Sequence, residues 1–321
     1  MKKALVLVNL GTPIAPNYKN LRLYLKQFLS DKRVVNKCPY YWLPLLNLVL
    51  LQVIPQKSAK NYAKIWNKQQ NESPLLTFTK SQVEKLQKEL AEEFFVDYAF
   101  TYDAGRADRS IEYKIKELTN EGYSSITILP LYPQYSVSTT ASIFEQVSDC
   151  FKKLEYIPSI KIVDSYYQND LYTKALANSV EKSITDKTTE LVCSFHGVPV
   201  KYIEKGDVYQ SHCEQTFENL KNELADRGFK LNLHLAYQSQ FGRDEWLGPK
   251  TDFTIEKLAE EGKENIAVIT PGFAVDCIET LEEIAMEAKE EFIQAGGKEF
   301  IFIDCLNDSE DAINLFKDIV K

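Results

Sequence analysis

Scarcity defines the 321-residue chain before any motif does. Its six cysteines (Cys38, Cys150, Cys193, Cys213, Cys277 and Cys305) are scattered singly, with no Cys-x-x-Cys and no paired Cys/His spacing. Neither a disulfide framework nor a structural zinc site is indicated, and a reduced, cytoplasmic setting is expected. No G-x-G-x-x-G and no G-x-x-x-x-G-K-[ST] occurs, which disfavours dinucleotide-dependent dehydrogenases and P-loop NTPases. Positive charge is in deficit: 38 Lys and Arg stand against 46 Asp and Glu, a formal charge of −8. No nucleic-acid partner is therefore expected, and cationic ligands suit the chain better. No Gly-, Ser- or Pro-rich linker divides it. The opening MKKALVLVNLGTP has an apolar stretch only over residues 4–8 and no small-residue cleavage site, so it reads as a buried first strand rather than a secretory signal.

Long apolar runs are absent too. The nearest approach, YYWLPLLNLVLLQVI at 40–54, is uncharged but short of the ~20 residues that a membrane-spanning helix needs. It reads either as a core helix or as an apolar lip that touches a membrane surface or admits a greasy ligand. Tyr40, Tyr41 and Trp42 are interfacial rings by type, and Leu43 to Ile54 supply apolar area.

What is present is a globular composition, 44% apolar and 26% charged, and a steady alternation of elements. Strands are predicted at 3–9, 95–101, 125–131, 159–164, 190–195, 231–236, 265–270 and 298–303. Helices are predicted at 18–29, 44–67, 77–92, 107–121, 138–153, 168–185, 210–227, 250–261, 277–295 and 308–320. Continuous apolar strands such as SITIL suit parallel sheets covered on both faces, and the alternation means α/β with right-handed crossovers. Eight strands could close a barrel, but Pro158 at mid-chain favours two open four-stranded sheets. In such sheets ligands bind beyond the carboxyl ends of the strands.

Four strand ends carry the informative residues. Asn9-Leu10-Gly11-Thr12-Pro13 is a tight turn with one glycine. Leu131 to Thr140 gathers hydroxyls at a helix start, which cap free N–H groups or hold a ligand carboxylate. Cys193-Ser194-Phe195-His196-Gly197-Val198-Pro199 places one of only three histidines directly after a buried strand. An imidazole there can accept a proton or bind a metal near neutral pH. His234 lies within a strand and His212 near a helix start, positions of packing or surface residues. After the seventh strand, Glu279, Glu283 and Glu287 recur at i, i+4 and i+8, with Leu281, Ile284, Ala285, Ala288 and Phe292 largely opposite. That wheel is either an ordinary amphipathic surface helix or a row of carboxylates leading a hard divalent cation inward.

Six ordered blocks, taken together, resemble the ferrochelatase family, which inserts ferrous iron into a porphyrin. They are NLGTP at 9–13, FLSDKRVV at 28–35, LPLYPQYSVSTTAS at 129–142, SFHGVPVKYIEKGDVY at 194–209, YQSQFGRDEWLGPKT at 237–251 and PGFAVDCIETLEEI at 271–284. The resemblance spans essentially the whole chain. It implies two Rossmann-like (chelatase-like) domains, each a four-stranded parallel sheet flanked by helices, with the porphyrin in a cleft between them. Their extents would be 1–160 and 161–303, with a final helix at about 304–321 packing back on the first. It makes His196 the active-site histidine and Glu279 its acidic partner, and turns Glu283 and Glu287 toward the inside. His196, Glu279, Glu283 and Glu287 are then the metal contacts, and Leu10, Tyr102, Tyr132, Ser136 and Trp246 the porphyrin contacts.

Three departures from the family pattern stand out. Cys277 occupies a place where many members have histidine, Thr101-Tyr102 replaces an Arg-Tyr pair, and only Cys305 lies near the end. No iron–sulfur cluster and no resident cofactor is expected; ferrous iron is substrate. Leu10 stands where the coproporphyrin-using branch usually has tyrosine, which favours protoporphyrin IX. Metallation must remove two pyrrole protons from a ring distorted toward the transition state. Either His196 accepts a proton with Glu279 orienting it or taking the second, or the pair are the first ligands of arriving iron. The rivals are a related chelatase loading cobalt or nickel into another tetrapyrrole, and a non-catalytic haem or iron carrier. The apolar run adds an expected peripheral contact with the inner membrane, and the sequence names no oligomeric state.

Overall fold

Buried, uninterrupted apolar strands set the architecture. The computed structural model describes residues 2–242 and 244–321; Arg243, within the block at 237–251, and Met1 lie outside the described residues. Among the described residues the chain forms two four-stranded sheets, parallel throughout. The first holds β1 (Lys3–Asn9), β2 (Phe95–Phe100), β3 (Ser125–Pro130) and β4 (Ser159–Ile162) in the order β2-β1-β3-β4. The second holds β5 (Glu190–His196), β6 (Asn232–Gln238), β7 (Asn265–Ile269) and β8 (Glu299–Ile303) in the order β6-β5-β7-β8. Each sheet therefore repeats one plan, with its first strand central and the strand order reversing beside it. Residues Ala4 to Asn9 of β1 and Glu190 to Phe195 of β5 are buried, as a central strand covered on both faces requires.

The chain divides into two units, Met1–Ser165 with Phe316–Lys321, and Tyr166–Leu315. In the first, a core of Ala4, Val6, Val8, Ile126, Ile128, Ile143 and Val147 lies between sheet and helices. In the second, Val192, Ala236, Ile255, Ile266, Val268, Ile284 and Phe292 do the same. The first unit runs on to Ser165, past residue 160, because Val163 N–H still bonds Ile128 O at 3.0 Å beyond the end of β4. The last helix, Glu310–Val320, belongs to the first unit only from Phe316, where Lys317 donates to Glu89 at 2.7 Å.

Two helices expected to be single and α-helical are not. The run predicted at 44–67 starts earlier, at Pro39–Leu45, widens into a π turn over Leu46–Leu50 and continues as an α-helix to Ile65. Two side-chain amides serve carbonyls around that wide turn: Asn47 Nδ2 donates to Leu43 O (2.8 Å) and Gln52 Nε2 to Asn47 O (3.0 Å). The run predicted at 277–295 is α-helical over Ile278–Leu281, π-helical over Glu283–Ala288 and α-helical again over Lys289–Gln294. Such π segments are rare and concentrate at functional sites. No described helix is long and apolar enough to cross a membrane.

Candidate active site

The second unit carries the titratable site. β5 is central in its sheet, and its last residue, His196, emerges half-buried behind the fully buried Ser194 and Phe195. Gly197 follows because nothing larger fits: a Cβ there would stand 2.8 Å from Gln238 O and 3.3 Å from the Trp246 ring. His196 Nδ1 lies 2.7 Å from Gly197 O. A carbonyl oxygen only accepts, so Nδ1 carries the proton and the neutral ring keeps its lone pair on Nε2. The Phe273 ring is 6.4 Å from the imidazole, centroid to centroid.

The acidic helix supplies the second group. Glu279 and Glu283 are half-buried and Glu287 is exposed, while Ile284, Ala288 and Phe292 point into the core. The expected apolar face is therefore present, but the π turn changes where the acids point. An α-helix advances about 100° per residue, so its i+4 position overshoots one turn, whereas the wider π turn falls short of it. Glu283 Oε1 accepts from Ser239 N–H (2.6 Å) and Oε2 from the Ser239 hydroxyl (2.5 Å). Ser239 reaches both oxygens by adopting a left-handed backbone, φ 61°, a strained choice for a residue with a Cβ.

Burial raises the Glu283 pKa above its ordinary value against the Ser239 bonds and the pull of His196, with Glu279 adding repulsion. Those interactions put His196 and Glu279 each within electrostatic reach of Glu283. Beside them is a cavity of about 170 Å³ lined by Glu283, Glu287, Glu291, Asp252, Lys250 and the stretch Tyr237 to Gln240, among others. Glu291 also titrates high, through burial and then the Asp252, Glu256, Glu287 and Glu283 carboxylates. Crowded carboxylates of this kind are relieved by a cation. Among the described residues no three His, Cys, Asp or Glu side chains converge as a ready-made metal cage. A substrate ion in transit does not require one.

Cys277 is buried at the start of this helix, its N–H donating to Thr280 Oγ1 at 3.0 Å, and burial pushes its thiol pKa well up. A protonated thiol is a poor ligand for iron. Under it, Asp276 is buried and accepts from Thr280 Oγ1 (2.9 Å) and Asn307 Nδ2 (2.6 Å), tying the turn after β7 to the one after β8.

The remaining expected contacts are differently placed. Trp246, in the second unit, packs on Phe241 at 5.0 Å, and its indole N–H is buried without an acceptor. The other four are in the first unit. Leu10 is half-buried directly after β1, its N–H bonded to Asn9 Oδ1 at 2.8 Å. Tyr102 is buried; its hydroxyl donates to Asp31 Oδ2 at 2.7 Å and its ring meets Phe28 edge-on at 5.4 Å. Ser136 is buried and its Oγ accepts from Ser138 N–H at 3.2 Å, a local turn ahead of the helix at Thr140–Phe151, whose first residues have no side-chain cap. Tyr132 packs against the first unit's core. Beside Tyr102, Thr101 is buried, its hydroxyl 3.4 Å from Asn9 O.

Sequence reasoning missed Ser194, Gln238, Ser239 and Asp31. All four fall inside the six blocks, but their roles depend on partners 41 to 71 residues away, and the signal was confined to those blocks.

Comparison with known proteins follows the same line. The family model described as Ferrochelatase matches residues 2–321. A protein named Ferrochelatase from Francisella tularensis subsp. tularensis (strain WY96-3418) is 42% identical over 99% of this chain and 95% of its own length. Another of that name from Rhodopseudomonas palustris (strain HaA2) is 44% identical over 98% of this chain and 91% of its own. Among solved structures, SirB from Bacillus subtilis with Fe3+ aligns with a TM-score of 0.59 at 10% identity, over 100% of this chain and 94% of that one, a likeness of fold.

Proposed function

Because the chain belongs to the ferrochelatase family, and is an enzyme that inserts ferrous iron into protoporphyrin to give protohaem, we propose that His196 and Glu279 handle the protons that insertion releases. The observation that carries this reading is the Nδ1 contact to Gly197 O, which leaves His196 Nε2 as the acceptor. A pyrrole N–H transfers its proton to Nε2; Glu279, like His196 within electrostatic reach of Glu283, orients the resulting imidazolium or takes the second proton. Glu283 and Glu287 lead the iron inward from the cavity, where crowded carboxylates favour a divalent ion over water. A distorted macrocycle exposes its nitrogen lone pairs to that ion. Trp246 is a proposed ring contact in the second unit and Leu10 one in the first, where Tyr102 and Ser136 are buried and Tyr132 packs on the core. His196→Ala should reduce Fe(II) insertion, followed by the collapse of the free-base porphyrin bands, by roughly 10²-fold or more. Full insertion in that variant would sink the assignment.

We also propose a cytoplasmic protein that touches the inner membrane through 40–54. Tyr40 is 84% exposed, Leu48 74% and Val53 66%, whereas Leu46 and Leu51 are fully buried. Trp42, expected at the lipid surface, instead packs against the buried cluster of Leu29, Val35, Leu46 and Leu51 and donates its indole N–H to Leu29 O at 2.7 Å. Leu48→Ser with Val53→Ser should weaken binding to anionic vesicles without lowering the thermal midpoint; unchanged binding contradicts the contact.

A further inference from the structure

Gln238, the last residue of β6, is 3% exposed and touches both halves of the site. Its main-chain carbonyl accepts the Gly197 N–H at 2.8 Å, one residue after His196. Its side chain reaches across: Nε2 donates to the Glu279 carbonyl at 2.6 Å. On the other side Oε1 accepts from the Ser194 hydroxyl at 2.8 Å, and Ser194 Oγ lies 2.7 Å from Thr251 Oγ1. Ser194 is 0% and Thr251 3% exposed.

The direction of this chain follows from its donors. The Glu279 carbonyl can only accept, so the Gln238 amide nitrogen faces it and Oε1 must take the Ser194 proton. Thr251 then donates to Ser194 Oγ. The bond falls at a particular place on the acidic helix. The α ladder closes with Leu281 N–H on Cys277 O and Glu282 N–H on Ile278 O, both 3.0 Å. The next carbonyl, that of Glu279, is the one Gln238 holds, and the π turn begins at Glu283. Ser239, the neighbour of Gln238, holds the Glu283 carboxylate. The strand end thus grips the helix on both sides of the change in pitch.

We propose that Gln238 is a positioning residue for metal insertion: its amide fixes the main chain of Glu279 relative to the peptide after His196, so that both side chains address one substrate. This rests on the reading that His196 and Glu279 handle the released protons. Misplacing a reacting group by about 1 Å costs up to about 10²-fold in rate. Gln238→Leu should therefore lower kcat for Fe(II) insertion roughly tenfold or more, with KM for porphyrin and for iron within about twofold. Gln238→Glu keeps the shape but donates to the Glu279 carbonyl only when protonated. Relative to the parent it should be more active than Gln238→Leu, and increasingly so as pH falls from 8 to 6. A purely structural role would not give that pH-dependent separation.

Parental kcat in folded Gln238→Leu, or equal loss in both variants at every pH, overturns the proposal. Should Gln238→Leu not fold, Ser194→Ala decides. That change removes only the hydroxyl steadying Oε1, and a fall of roughly two- to fivefold in kcat at constant KM is expected. Parental kcat there overturns it. His196→Ala is assayed alongside: full insertion in that variant sinks the reading of the site, whereas its loss together with parental kcat in Gln238→Leu sinks only the role of Gln238.

Discussion

The two units share one plan and differ in what they place at its centre. β1 ends in Asn9 and β5 in His196, the same position in the same topology. A glycine presses on neighbouring backbone just beyond each: Gly11, two residues after Asn9, against Tyr102 O beyond β2, and Gly197, directly after His196, against Gln238 O at the end of β6. Asn9, however, is buried and self-contained, bonding Leu10 N–H at 2.8 Å and Thr79 Oγ1 at 3.4 Å. His196 is half-buried with a basic nitrogen to spare. The comparison separates scaffold from chemistry. The close-approach glycine comes with the fold in both units, and a titratable strand end with carboxylates opposite it is found in the second.

The largest effect expected is on the shared feature. A Cβ on Gly11 would stand 2.0 Å from Tyr102 O at φ 108°, so Gly11→Ala combines backbone overlap with left-handed strain. It should cost about 3 kcal/mol or more, seen as a lowered denaturation midpoint. Gly197 meets Gln238 O at 2.8 Å and has no such φ, so Gly197→Ala should cost about 1–2 kcal/mol and act mainly on insertion rate. Equal costs would break the parallel.

A difference at the other end of the central strands comes next. β1 starts at the exposed Lys3, but β5 starts at Glu190, 1% exposed and bonded to Lys263 (2.8 Å), His234 (2.8 Å) and Asn232 (3.0 Å). Burial pushes the Glu190 pKa up, yet these bonds outweigh it and hold the carboxyl below its usual range. Its stabilisation is therefore present above the unfolded value near 4.3 and lost as pH falls through the folded one. Lys263→Met should lower the denaturation midpoint at pH 7, with Thr189, Asn232 and His234 remaining on the carboxylate, and the deficit should shrink as pH falls through the lowered Glu190 value. A deficit independent of pH would contradict the assignment.

The smallest effect has the opposite sign. Glu283 titrates above its ordinary value, so the folded state holds its proton more tightly and loses stability as pH rises through that value. Glu283→Gln should raise the thermal midpoint by about 2 °C at pH 8, with the gain shrinking as pH falls, while slowing iron insertion. A lower midpoint at pH 8 would show that the carboxylate is structural.

Eight strands were legible because a central parallel strand must be apolar on both faces, and β1, β3, β5 and β7 are. His196 was legible because strand ends are where such sheets bind ligands. The short helix Val200–Glu204 was not, being a single turn behind Pro199. Nor was the π turn at Glu283–Ala288, since acids at i, i+4 and i+8 read as an α-helix and the residues that bond the helix there, Gln238 and Ser239, lie some 40 positions earlier. Likewise Tyr102 reads as an available phenol until Asp31 is found against it. Patterning reports burial and period; it does not report which polar atoms a distant strand has already engaged.

The central claim is that His196 presents an unprotonated Nε2, held so by its neighbour's carbonyl. With three histidines in the chain, ring 15N labelling gives three resolvable imidazoles, and His196→Asn assigns the one at issue. The account predicts that neutral His196 carries its proton on Nδ1, with the Nε2 resonance moving when porphyrin is bound. A neutral ring protonated on Nε2 would contradict it.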